Sequence, residues 1–202
     1  VELIKKAVVE GYELTDERFI EIAEDYNLNS GATVLSAVII DPPIVSPTYN
    51  GVRVRKLIIA NAGDSLAVLA SQGSVTTILN KQHKPDIPEE KQRITQNGGK
   101  VYHWYGQARV NGVIGVSRSL GNRRYKELIP ITPDVFEYDI VEGRDEFLIM
   151  ASDGLWDVMP PQEAVEFVRS HLRQNDKNPA QISQALAEES VSRKSKDNIS
   201  VL

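Results

Sequence analysis

The stretch "EFLIMASDGLWDVM", residues 146–159, runs from a continuous apolar segment into Asp153 and Gly154 and then becomes apolar again. An apolar run of this kind is typical of a strand buried on both faces, so we expect Asp153 to emerge at the edge of a core. A simple turn is the alternative, because Asp tolerates turn geometry and Gly supplies positive φ. Asp157 follows four residues later, and one helical turn would place it on the same side as Asp153. Two carboxylates that face one way favour a cation-binding site.

The composition limits the classes of function. The chain has 202 residues, of which 41% are hydrophobic and 25% charged, and this favours one ordinary globular domain spanning residues 1–202. A net charge of −5 argues against nucleic acid or an anionic membrane as a partner. The absence of cysteine excludes disulfides, thiolate catalysis and zinc-thiolate sites, and it is compatible with an intracellular protein. No apolar stretch approaches the roughly 20 residues that span a bilayer.

The first half of the chain predicts helices and then strands. Apolar residues from Leu3 to Val8 have helical spacing, and Thr15 is expected to be the N-cap of a second helix. Residues 33–40 are rich in β-branched residues and predict a strand, followed by a proline-rich surface loop. Three further apolar segments predict an antiparallel meander: "VRVRKLIIAN", "LAVLAS" and "SVTTIL".

The second half predicts short helices, a hairpin and two more strands. Pro88 is expected to open a helix, and Asn111 with Gly112 forms the preferred type I′ hairpin turn. Strands "DVFEYDI" and "EFLIMAS" precede helices that begin near Pro161 and Pro179; the first should bury one face from Ala164 to Leu172. This order indicates an α+β fold in which sheet packs on sheet with helices outside.

Three acidic residues stand where an apolar strand meets a loop: Asp64, Asp153 and Asp197. Gly-Asp-Ser chemistry explains Asp64 as a turn residue. Asp153 and Asp197 are harder to explain in this way, and hard ions such as Mg²⁺ and Mn²⁺ are held by a few carboxylates plus waters. The three histidines lack zinc-site spacing, and nucleophile-elbow and P-loop motifs are absent. A metal pocket follows if the two strand ends meet.

Six segments in this order closely resemble the metal-dependent serine/threonine protein phosphatases of type 2C, and the resemblance spans nearly the whole chain. They are "SGATVLSAVI", "LIIANAGDSLAVL", "HKPDIPEEKQRITQNGGKV", "RVNGVIGVSRSLGN", "DEFLIMASDGLWDVM" and "KSKDNISVL".

The resemblance implies two antiparallel β-sheets packed as a sandwich and flanked by antiparallel helix pairs, a four-layer αββα arrangement. It also implies a binuclear Mg²⁺ or Mn²⁺ site with Asp153 and Asp197 as ligands and Asp157 in a weaker third site. The implied reaction is hydrolysis of phosphoserine or phosphothreonine in a protein substrate by a metal-activated water. Accordingly we expect a monomeric, intracellular protein of the cytoplasm or nucleus.

The sequence departs from the family pattern in three respects. The early "DGH" motif is not present, so we expect this chain to be the larger, C-terminal part of the catalytic domain. The general acid and the phosphate-binding group would then precede Val1, and no catalytic residue would lie within the chain. Gln82 replaces an acid of the third metal site, and Leu66 and Asn122 replace an Arg and an Asp. The alternative function is a catalytically impaired pseudophosphatase that acts as a protein-interaction scaffold.

Overall fold

The computed structural model describes residues 1–173 and 178–202, in which five α-helices accompany ten short or medium β-strands. The predicted α+β class and antiparallel strand pairing are confirmed. The elements are α1 (Glu2–Asp25), β1 (Gly31–Ala32), β2 (Val34–Val45), β3 (Arg53–Ala62), β4 (Leu66–Ser71), β5 (Val75–Ile78), α2 (Pro88–Gln96), β6 (Val101–Trp104), β7 (Gln107–Val110), β8 (Leu120–Gly121), β9 (Asp134–Val141), β10 (Asp145–Ala151), α3 (Asp153–Trp156), α4 (Pro161–Arg173) and α5 (Pro179–Ser192).

The chain forms two compact units. One comprises Val1–Ser36, Ala60–Asp64 and Lys81–Val135, and the other comprises Ala37–Ile59, Ser65–Asn80 and Phe136–Leu202. Strands β2 and β3 therefore each contribute residues to both units. The strands of one sheet are ordered β2-β3-β9, and those of another are ordered β10-β4-β5.

The first unit is organised around α1, which is one continuous helix. The predicted break at Thr15 is wrong: its hydroxyl donates to the carbonyl oxygen of Gly11 over 2.6 Å, a bond made inside a helix and not at its start. The buried Tyr12 donates its hydroxyl to the carbonyl oxygen of Ala60 over 2.9 Å and so ties α1 to β3. Leu3, near the start of α1, is 84% exposed.

Two hairpin turns follow α2 in the same unit. The turn at Asn111 and Gly112 is confirmed, since both residues have positive φ, at 49° and 75°, but the strand expected after it is reduced to a single bridge between Val110 and Ile114. A second turn at Tyr105 and Gly106 joins β6 to β7, with φ of 48° and 82°, and the sequence reasoning missed it. Helix α2 begins at Pro88, as predicted.

The second unit contains the sheet in which the apolar part of residues 146–159 forms most of strand β10. Strand β10 pairs with β4 along its length, β4 pairs with β5, and Val201 forms an antiparallel bridge with Ala151 on the other side of β10. Helices α4 and α5 cover this sheet. The buried residues of the resulting core are Val68, Ala70, Ile149, Ala151, Leu155, Met159, Ala164, Val165, Val168, Ile182 and Leu186.

Three predictions for the second unit need correction. The predicted meander is wrong in part, because β3 and β4 are consecutive in the chain but belong to different sheets. Strand β2 continues to Val45 through part of the expected loop, and it lies at the edge of its sheet. Leu172, expected on the buried face of α4, is 41% exposed, near the end of that helix.

Candidate metal centre

Asp153 is placed by the end of β10 and by the short helix α3 that follows. It is the first residue of α3, and the N–H of Asp157 donates to its carbonyl oxygen over 2.8 Å, so one helical turn separates the two acids. The indole Nε1 of Trp156 donates to the carbonyl oxygen of Ala151 over 2.9 Å. The fully buried Leu155 anchors the turn in the core. The turn is thereby fixed relative to the strand that precedes it.

Asp197 lies in the loop that follows α5. The N–H of Asn198 donates to its Oδ1 over 2.7 Å, which orients the carboxylate. Arg193, at the start of this loop, donates to Glu163 over 2.7 Å and to Glu189 over 2.8 Å. The hydrogen bonds from Arg193 lower the pKa of both carboxylates.

The segments that carry Asp153 and Asp197 run side by side. The N–H of Ser152 donates to the carbonyl oxygen of Ser200 over 3.1 Å. A Cβ atom built on Gly154 would lie only 2.3 Å from the carbonyl oxygen of Asn198. Gly154 therefore permits a backbone approach that no other residue would allow. Asp153 directly precedes Gly154 in the chain, and Asp197 directly precedes Asn198. The close contact therefore lies next to both acids.

The chemistry of these residues fits a hard divalent ion. Asp153 is half-buried, while Asp157 and Asp197 are exposed. Within the described ranges, no group of three or more Asp, Glu, His or Cys side chains could hold a metal ion. Mg²⁺ is commonly bound through one or two carboxylates and keeps several waters, so a small donor set of carboxylates is appropriate.

Asp64 and Gln82 belong to the other unit. Gly63 has φ of +141° and packs against Thr33, and its N–H donates to Nδ1 of His83 over 3.1 Å. The amide of Gln82 donates to the carbonyl oxygen of Asp64 over 2.6 Å. These bonds support the interpretation of Asp64 as part of a tight turn, and they give Gln82 a structural role.

Asn122 also has a structural role where the family pattern has an acid. It adopts the left-handed conformation with φ of 51°, which Asn tolerates well. Its Nδ2 donates to the hydroxyl of Ser119 over 2.7 Å. An aspartate would lack this donor.

A buried network of charged residues in the first unit escaped the sequence reasoning. Arg118 donates to Glu90 over 2.6 Å and to Asp134 over 2.8 Å, and Nε2 of His83 lies 3.3 Å from Oδ2 of Asp134. Arg93 donates to Glu90 over 2.9 Å. The Glu90–Arg93 spacing of three residues on a helix was the only local signal, because the other partners are distant in sequence.

The network shifts the pKa values of Glu90 and His83. Burial alone would raise the pKa of Glu90, but hydrogen bonds from Arg118 and Arg93 outweigh it and lower the pKa to about 2. Burial, together with the nearby charge of Arg118, lowers the pKa of His83. The remaining histidines lie apart: His103 is exposed, and the ring of His171 packs on Phe167.

None of the helices within residues 1–173 and 178–202 combines the length and apolar character that crossing a membrane requires.

Comparison with known proteins identifies relatives along almost the whole chain. The chain is 36% identical over 195 residues to probable protein phosphatase 2C 45 of Oryza sativa subsp. japonica, covering 96% of this chain and 61% of the relative. It is 35% identical over 193 residues to probable protein phosphatase 2C 59 of Arabidopsis thaliana, covering 96% of this chain and 55% of the relative. The chain thus spans only about half to three fifths of the length of these curated relatives.

The fold also matches solved structures. The crystal structure of serine-threonine phosphatase 2C from Toxoplasma gondii aligns with a TM-score of 0.82 at 26% identity, over 99% of this chain and 66% of that one. A sex determining protein of C. elegans aligns with a TM-score of 0.77 at 24% identity, over 96% of this chain and 44% of that one, and shows the fold alone. The profile of the family described as Protein phosphatase 2C matches residues 2–199. The chain therefore belongs to the protein phosphatase 2C family.

Proposed function

We propose that the protein containing this chain is a Mg²⁺- or Mn²⁺-dependent phosphatase that hydrolyses phosphoserine and phosphothreonine in other proteins. Family membership supports the class of reaction. The assignment of Asp153 and Asp197 as metal ligands is supported by one observation above all, the close approach of Gly154 to the carbonyl oxygen of Asn198. Because Asp153 precedes Gly154 and Asp197 precedes Asn198, the two acids lie on adjacent segments. On this proposal two ions are bound, with Asp157 contributing to a weaker third site.

The residues of this chain would act by holding and orienting. The carboxylates of Asp153 and Asp197 would hold the ions, and the N–H of Asn198 would keep the Asp197 side chain in one orientation. The first turn of α3, fixed by Leu155 and Trp156, would keep Asp153 at the end of β10. When bound, the metal ions supply an activated water and neutralise the negative charge that develops on the phosphate. No nucleophilic side chain from this chain is required.

The test is hydrolysis of a phosphothreonine peptide by the full-length protein, with and without Mn²⁺. We expect activity that depends on Mn²⁺ and is lost in Asp153→Ala and in Asp197→Ala. Both variants should keep their fold, because Asp197 is exposed and Asp153 is only half-buried. Glu188→Ala, which removes an exposed acid from α5 in the same unit, is the matched control and should retain activity.

Two results would contradict the proposal. Normal turnover in both aspartate variants would show that these residues do not hold the metal. A folded full-length protein with no Mn²⁺-dependent hydrolysis would favour the scaffold alternative. The structural bonds made by Gln82 and Asn122 show that these departures from the family pattern are accommodated in the fold, and they do not by themselves favour a scaffold.

A further inference from the structure

Two serine hydroxyls cross-link the segments that carry Asp153 and Asp197. Ser152 Oγ donates to the carbonyl oxygen of Asn198 over 3.2 Å and accepts the N–H of Ser200 over 3.1 Å. Ser195 Oγ donates to the carbonyl oxygen of Gly154 over 2.7 Å. We name these two residues, Ser152 and Ser195, the serine clamp.

The bonds of the serine clamp lie next to the acids in the chain. Ser152 directly precedes Asp153, and one of its partners, Asn198, directly follows Asp197. Ser195 lies two residues before Asp197, and its partner Gly154 directly follows Asp153. The clamp therefore joins the two acid-bearing segments to each other from both directions.

Ser152 stands at the N-terminus of α3, but its hydroxyl does not cap this helix. Ser152 is the N-cap residue of α3, with extended φ and ψ of −72° and 168°, and serine is preferred there because its oxygen accepts an N–H of the first turn. In this structure Ser152 makes no such capping bond. Its hydroxyl is used instead to join α3 to the segment from Asn198 to Ser200.

The close approach at Gly154 adds an independent constraint. The space a side chain would fill at Gly154 is taken by the carbonyl oxygen of Asn198 and by the side chain of Ile199. Contact on this side limits how near the segments can come, while the serine hydroxyls limit how far apart they can move. Together they define one separation.

From these contacts we infer that Ser152 and Ser195 are positioning residues that fix the separation of Asp153 and Asp197 and thereby set the affinity for the divalent ion. This inference rests on the proposed function. Groups that hold metal ligands in place are worth 10–100-fold in metal affinity when removed, because a loosened ligand must be ordered again on binding.

The test is the Kd for Mn²⁺, measured by isothermal titration calorimetry on the metal-free full-length protein. We expect Ser152→Ala and Ser195→Ala each to weaken binding by roughly 10–100-fold. Ser195→Thr retains the hydroxyl and should bind like the wild type. Ser183→Ala is the matched control: Ser183 likewise donates its hydroxyl to one carbonyl oxygen, but that oxygen belongs to Pro179, within the same helix α5.

A second variant separates the segments without removing a hydroxyl. Gly154→Ala places a methyl group against the carbonyl oxygen of Asn198 and should weaken Mn²⁺ binding while both serines remain. Kinetics distinguish positioning from general damage: in Ser195→Ala the Mn²⁺ concentration for half-maximal activity should rise, while kcat at saturating Mn²⁺ stays close to that of the wild type. The Tm of the metal-free protein should match that of Ser183→Ala.

The results distinguish failure of the positioning role of Ser152 and Ser195 from failure of the proposed function. If Asp153→Ala abolishes Mn²⁺ binding but both serine variants bind like the wild type, the positioning inference is wrong and the proposed function stands. If the wild-type protein binds no Mn²⁺, both are wrong. If Ser195→Ala does not fold, Ser152→Ala and Gly154→Ala decide the matter, and normal Mn²⁺ affinity in these two variants overturns the inference.

Discussion

The guanidinium of Arg118 donates Nη2 to Oε1 of Glu90 over 2.6 Å, and the Glu90 residue is only 4% exposed. Arg118 also donates to Asp134, so one guanidinium joins α2 to the first residue of β9. A charged pair with so little solvent contact is costly to break from one side, because the partner left behind is a buried, uncompensated charge.

We expect Glu90→Gln to lower the free energy of unfolding by roughly 3 kcal/mol, since Arg93 would lose its negative partner and Arg118 would keep only Asp134. Urea denaturation monitored by circular dichroism measures the change. Glu89→Gln removes an exposed acid from the same helix turn and should stay within about 0.5 kcal/mol of the wild type. Equal stability of the two variants would show that the buried pair adds nothing.

His83 predicts a pH dependence of stability near neutrality. Burial lowers the pKa of His83 below its usual 6.5, so the folded state binds the proton less readily than the unfolded state. The associated stability is present above pH 6.5 and is lost as the pH falls through the folded-state pKa. His83→Asn should lose this pH step in urea midpoints, whereas the exposed His103→Asn should retain it. A step that persists in His83→Asn would assign it to another group.

Two glycines should respond in opposite directions to alanine. Gly121 has φ of +70°, and its Cβ would lie 2.4 Å from the carbonyl oxygen of Ser30, so Gly121→Ala should cost roughly 2 kcal/mol or more. Gly11 lies inside α1 with open space around it, so Gly11→Ala should stabilise the protein by up to about 1 kcal/mol. Thermal unfolding of both variants gives the comparison, and destabilisation by Gly11→Ala would contradict the continuous helix.

Asp16 and Lys126 should show coupling in a double-mutant cycle. Oδ1 of Asp16, a buried residue, accepts from Nζ of Lys126 over 2.9 Å and from the N–H of Gly121 over 2.7 Å. Burial lowers the pKa of Lys126, and the bond to Asp16 opposes this shift. Asp16→Asn should therefore cost more in the wild-type background than in Lys126→Met, with a coupling energy of about 1–3 kcal/mol. Additive effects in urea denaturation would mean that the pair is not coupled.

Local signals in the sequence were sufficient for several elements. Pro88 marks the start of α2, and the pattern of Asn178 followed by Pro179 marks α5, where Asn178 and Gln181 form a reciprocal capping box. The apolar run that ends at Asp153 is strand β10 followed by α3, as its composition indicates. These elements were predictable because their starts and ends depend on residues only a few positions apart.

Long-range relationships were not predictable in this way. Thr15 has a side chain suited to a cap, yet the packing of Tyr12 and Asp16 on either side keeps the helix continuous. Strands β3 and β4 look like neighbours in a meander, and only the pairing of β4 with β10 places them in different sheets. For the candidate metal centre, the sequence indicated the acids, whereas the hydroxyl bonds of the serine clamp connect residues 41 and 46 positions apart.

The hydrogen bond between Ser152 and Asn198 closes a long loop that contains α3, α4 and α5, because its partners are 46 positions apart. Closing a loop of this length costs conformational entropy until local helices have shortened it, so we expect such contacts to form late on the folding pathway. Contacts that form after the transition state slow unfolding and leave the folding rate nearly unchanged. The hydroxyls that join the two aspartate segments would thus also determine how long the assembled site persists before the chain opens.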